Sequence, residues 1–162
     1  MMRKYKLNNY GFGLVEIVVA VSIISFSIFS LFFIFELSLR AERRTTNNIK
    51  ASFLLEEGVE VVKIMRDSGW TVSLGSLSSG IDYYLVFDGV SWQVSLIPSL
   101  VDNFFERKLI IDDVLRDAND DISDSGVVDS DTKEVTLYVS WQEAGVTTTR
   151  SISSYVTNIF NN

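Results

Sequence analysis

The chain reads as an α+β protein: one long N-terminal helix followed by an antiparallel sheet. Two observations carry that class. No proline falls between Phe12 and Asp67, and glycine occurs there only at positions 13 and 58. Beyond residue 80, short segments alternate apolar and polar residues and are parted by turn signals, the period-2 signature of half-buried strands. A helix followed by a run of strands is the order of an α+β domain whose sheet folds onto a helix face.

At 162 residues the chain has room for one modest domain plus an anchor. It contains no cysteine and no histidine, which removes disulfides, thiolate chemistry, Ser-His-Asp and Cys-His arrangements, and ordinary zinc sites. Sites for hard cations, built from oxygen ligands, remain open. A net charge of −7 argues against a nucleic-acid surface built on bulk charge.

Residues 1–11 form a basic leader carrying Arg3, Lys4 and Lys6 and no acid. The first helical half is expected over 12–40. Within it, Ile17 to Phe35 is uncharged, and as a helix spans about 28 Å, close to the hydrocarbon core of a bilayer. Ser22, Ser25, Ser27 and Ser30 interrupt it, but serine hydroxyls bond back to helix carbonyls. The basic start keeps its end in the cytoplasm and the acid-rich remainder crosses. A removable secretory signal has a shorter apolar core and a small-x-small site after it; Glu36-Leu37-Ser38-Leu39-Arg40-Ala41 offers none.

Glu16 stands almost inside this run. A carboxylate at the centre of a membrane helix costs about 2.5–3.5 kcal/mol, and less near an end. Either it lies solvated in the headgroup zone, or it meets a cation.

The helix continues over 41–68 as an amphipathic half. Ala51, Leu54, Leu55, Gly58, Val61, Val62 and Met65 follow the i, i+3, i+4, i+7 pattern of one face, with Glu56, Glu57, Glu60, Lys63 and Asp67 mostly opposite. Gly58 costs about 1 kcal/mol against alanine in a helix; it either lets a strand approach closely or is a tolerated weak spot. Arg66-Asp67-Ser68-Gly69 is a stop signal, with Gly69 as the cap.

The sheet domain is expected over 69–162. Residues 70–80 read as a Gly/Ser-rich loop. Asp82–Phe87 and Val90–Leu96 flank Asp88-Gly89, a two-residue hairpin signal. Val90, Trp92, Val94 and Leu96 would share a buried face. Further strands are expected at Phe105–Val114, Glu134–Trp141 and Thr147–Val156, with Glu143-Ala144-Gly145 turning between the last two. Between them, residues 112–131 carry eight aspartates and one basic residue, Arg116, and read as an acidic insertion. Asp117, Asn119 and Asp121 have the spacing that opens an EF-hand calcium loop, but Ile122 stands where glycine is needed and Val128 where the bidentate Glu belongs. A looser calcium loop and a solvated turn-rich loop both fit. No cofactor other than calcium is indicated. The aspartates offer no defined catalytic pair, and no enzyme activity is expected.

The N-terminal pattern carries a family resemblance. A short basic leader, Gly11 before Phe12, Gly13-Leu14-Val15, Glu16 five positions into the new chain, and an apolar helix resemble the type IV prepilin signature; Gly13 replaces the common Thr. The resemblance implies a pilin-like fold, with the long helix packed on an antiparallel sheet. It implies a prepilin peptidase that cleaves between Gly11 and Phe12 and methylates the Phe12 amine. The new amine lies four residues before Glu16, and the resemblance implies that Glu16 pairs with the Phe12 amine of an adjacent subunit during assembly. Loss of the leader takes net charge from −7 to −10. Expected partners are the peptidase, other pilin subunits, the inner-membrane filament assembly machinery and, before assembly, the membrane, with no direct nucleic acid. The expected location is a bacterial inner membrane, single-pass with the C-terminal domain outside the cytoplasm, then a pilus or pseudopilus. The absence of cysteines, the Leu14-Val15-Glu16-Ile17 start and the Thr147–Phe160 ending resemble a minor pilin or a type II secretion-type pseudopilin, some of which bind calcium in a C-terminal loop. Many major pilins carry a proline in the membrane half; the single proline here is Pro98. The contrasting reading is a single-pass anchored extracytoplasmic binding domain that keeps its leader and joins no filament.

Overall fold

The computed structural model describes residues 13–160. One helix, α1 (Leu14–Ser68), precedes seven strands: β1 (Tyr83–Phe87), β2 (Trp92–Ser95), β3 (Leu100–Val101), β4 (Phe105–Arg116), β5 (Ile122–Ser123), β6 (Val127–Glu143) and β7 (Val146–Thr157). The chain falls into two compact units, one up to Thr45 and one from Thr46 onward.

In the second unit, helix and sheet share one core, so the α+β arrangement is present. Ala51, Leu55, Gly58, Val61, Val62 and Met65 are the buried positions of α1. They are the predicted stripe without Leu54, which is half-buried beside it. Against them pack Leu109 and Ile111 of β4 and Val135, Leu137, Val139 and Trp141 of β6. Gly58 is a point of close approach: a Cβ there would sit 3.0 and 3.1 Å from the two Leu137 methyls. The helix stops at Gly69, whose φ of +141° suits glycine.

The sheet is antiparallel in the order β2-β1-β4-β6-β7, with β3 and β5 as short additions on β4. The β6–β7 hairpin closes through Ala144 and Gly145, both at positive φ, the conformation of a tight primed turn.

Several expectations change. The Asp88-Gly89 hairpin pairs Phe87 with Trp92, so its loop holds four residues rather than two. The Asp88 carboxylate takes the N–H groups of Val90 and Ser91 (2.8 and 2.7 Å), which opens the turn and delays the strand. Val90 and Leu96 are therefore exposed, and only Trp92 and Val94 lean on the core. The Gly/Ser stretch after α1 holds a 3-10 turn (Leu74–Ser76) and anchors the core through Trp70 and Leu74. Trp70 Nε1 also donates to the Ser130 carbonyl at 3.2 Å.

The largest correction concerns residues 112–131. They are not a free insertion: β4 runs on to Arg116 and β6 begins at Val127, eleven paired residues on β4 with one irregularity after Asp113. Cations make this possible. Lys133 Nζ bonds the Asp113 carboxylate, and Arg116 Nε donates to Asp129 Oδ2 at 2.6 Å. Each pair removes the like-charge repulsion that otherwise opposes a carboxylate-rich ladder.

Candidate functional site

The expected cleavage-junction residues Gly11 and Phe12, the latter also the expected methylation and assembly site, lie outside the described residues; the described chain begins at Gly13. Gly13 precedes the first helical residue, which places Glu16 third in the first turn. Its Oε2 accepts the Gly13 backbone N–H at 3.1 Å. This is the return half of a capping box, in which a third-position carboxylate satisfies an amide that the helix ladder leaves unpaired. The carboxylate also lies at the positive end of the helix dipole. Among the described residues no cation pairs with this carboxylate.

Behind Glu16 the helix is apolar on every side, and every residue from Leu14 to Leu39 is exposed. This is one helix near the N-terminus long and apolar enough to cross a membrane. Three of its four serines are handled as expected: Ser22, Ser27 and Ser30 donate to the carbonyls of Val18, Ile23 and Phe26 at 2.7, 2.8 and 2.9 Å. Each hydroxyl thereby carries its own acceptor into an apolar medium. Charge resumes with an exposed Glu36–Arg40 pair at 2.9 Å.

The second candidate, Asp117, Asn119 and Asp121, is brought together as a turn. Asp117 Oδ1 accepts the N–H groups of Asn119 (2.8 Å) and Asp121 (3.1 Å). The Asp117 N–H in turn donates to the Asp121 carbonyl at 2.9 Å, and Asp120 takes a positive φ of 67°. One calcium-type oxygen is thus occupied by the backbone. Among the described residues no group of three or more acidic side chains is arranged around a common metal position. The charge at this end is organised by Arg116 instead, which donates to Asp129 and to the Asp120 carbonyl (2.7 Å). The Arg116 hydrogen bond holds the Asp129 carboxyl below its ordinary range, against the opposing effect of burial.

Sequence reasoning missed Arg107. It occupies an inward position on β4 and is only 3 % exposed. Its guanidinium bonds the Glu57 carboxylate, donates to the Leu54 carbonyl at 3.4 Å and lies 5.1 Å from the Trp92 ring centre. The available signal was parity: Phe105, Arg107, Leu109 and Ile111 alternate along one face.

Comparison with protein-family models, characterised proteins and solved structures finds no match.

Proposed function

We propose that this chain is a structural subunit of a type IV pilus or related filament, a minor pilin or type II secretion-type pseudopilin with a pilin-like fold. The observation that carries the reading is a helix apolar on all sides whose single early charge, Glu16, sits in the first turn. Such a surface needs a non-aqueous partner, first the bilayer and then the same surface of other subunits.

Cleavage between Gly11 and Phe12 creates an amine beside the Glu16 carboxylate. Methylation at Phe12 leaves that amine cationic. In a filament core, Glu16 of one subunit meets the Phe12 amine of its neighbour. A buried carboxylate without a partner is strongly unfavourable, so the pairing fixes register between subunits. Catalysis has no part in this role. Intact-mass measurement tests the first step: the mature chain begins at Phe12 with one added methyl, and a chain starting at Met1 in cells with an active prepilin peptidase overturns the reading. Replacing Glu16 with alanine is expected to spare cleavage and impair assembly.

One observation favours the plain anchored domain: the Glu16 carboxylate already has a partner within its own helix at Gly13. In that case Glu16→Ala changes only helix capping, a loss of about 1 kcal/mol.

A further inference from the structure

A cleft of about 620 Å³ runs between the end of α1, the turn after it and strand β2. That is the size of a ligand-binding cleft, roughly 300–1,000 Å³. One wall is Val90 and Ser91 of the hairpin loop and three consecutive residues of β2, Trp92, Gln93 and Val94. Side chains on a strand alternate between faces, so consecutive residues line one cleft only along the edge of the strand. The facing wall includes Ile64 and Met65 of α1 and Val72 and Leu77 of the following turn. Among the described residues β1 is the only strand paired with β2, so the other edge of β2, whose residues line this space, carries backbone groups that no strand takes up.

No charged residue lines the cleft, in a chain that is 22 % charged. Its rim is aliphatic: Ile64, Val72 and Val90 are 52, 80 and 91 % exposed. The hydroxyls of Ser68 and Ser73 are turned to the carbonyls of Ile64 and Met65, at 2.7 and 2.8 Å. Ser76, Ser91 and Gln93 also line it, donating to the Ser73 carbonyl and the Asp88 carboxylate, and the strand edge adds the backbone groups that no strand takes up.

We propose that this cleft binds an extended, uncharged segment of a partner protein, added as a strand alongside β2. Apolar side chains at alternate positions of that segment seat against Ile64, Val72 and Leu77. The period of a strand matches one apolar wall and one ladder edge, which is the chemistry of strand addition. Ionised side chains are rejected, because they would lose hydration where no counter-ion stands. An acyl chain satisfies the apolar wall but leaves the edge N–H and C=O groups unmatched. The inference stands on the second unit alone and is independent of filament assembly.

The test uses the full chain in phospholipid nanodiscs and a fluorescent peptide, acetyl-Thr-Val-Thr-Val-Thr-Val-Thr-amide, followed by anisotropy. Saturable binding is expected. N-methylation of every valine, or in a second peptide of every central threonine, removes the amides of one peptide edge. One of the two is expected to bind at least about tenfold more weakly, since each ladder bond contributes about 1 kcal/mol. The Ile64→Glu/Val72→Asp variant is expected to weaken binding by a similar factor; both side chains are exposed, and an unchanged thermal melt confirms the fold. Equal binding by both N-methylated peptides overturns the proposal in favour of a plain apolar pocket. No binding at millimolar peptide also overturns it, as does self-association of the chain that the same two substitutions abolish.

Discussion

The two halves of α1 have the same backbone and opposite relations to their surroundings. From Ala51 to Met65 the apolar residues form one stripe, and the chain supplies its own cover in β4 and β6. From Leu14 to Leu39 they surround the helix and are exposed. Periodicity, more than hydrophobicity, separates the two: a 3.6-residue repeat announces a partner on one side, while its absence announces an apolar medium all round.

An ionised side chain placed in each half breaks the comparison most sharply. Val61→Asp buries a carboxylate without a partner and is expected to cost more than about 4 kcal/mol, unfolding the domain in a thermal melt. Phe26→Asp is expected to leave that melt unchanged and to lower membrane insertion by roughly 2.5–3.5 kcal/mol, read from fractionation between membrane and soluble pools. Equal effects on the melt would mean that Phe26 is buried as Val61 is.

A smaller effect tests the ion pair between helix and sheet. Glu57→Gln leaves the Arg107 guanidinium buried without its anion and is expected to cost about 1–3 kcal/mol in chemical denaturation. Adding Arg107→Met is expected to recover most of it, because an apolar side chain of similar volume removes the orphaned charge.

Glycine sharpens the comparison at single-atom scale. Gly58→Ala gains about 1 kcal/mol of helix propensity but forces the Leu137 methyls to move, so a net loss near 1 kcal/mol is expected. Leu137→Val in the same chain should relieve part of that strain. Gly13→Ala meets nothing within 4 Å and should leave the melt unchanged.

The smallest effect is acid sensitivity. The folded Asp129 carboxyl lies below its unfolded value, near 3.9. Its stabilisation is therefore present above about pH 4 and fades as pH falls below it. Asp129→Asn is expected to flatten the acid limb of stability against pH, and an unchanged limb would show that Arg116 does not couple to folding.

The helix was legible because its signals are local: no interior proline, a clear stripe, and Gly69 as the stop. The placement of Glu16 near the start of the helix was legible for the same reason, though the helix begins at Leu14, which makes Glu16 its third residue. The 112–131 region was misread because its structure depends on pairs distant in sequence. Nothing local says that Lys133 will stand by Asp113, or Arg116 by Asp129. The β2 start was misread because Asp88 bonds two amides of its own loop, a choice that the Asp-Gly signal does not encode. The cleft beside β2 follows from that late start, which leaves Val90 outside the strand.

The Glu57–Arg107 bond joins residues 50 apart in the sequence. Synthesis at about 5–20 residues per second separates their appearance by roughly 2.5–10 s. During that interval the stripe from Ala51 to Met65 exists without the strands that will cover it. The nascent chain therefore passes through a period in which both halves of its helix offer apolar surface, and only one has its shelter still to be made.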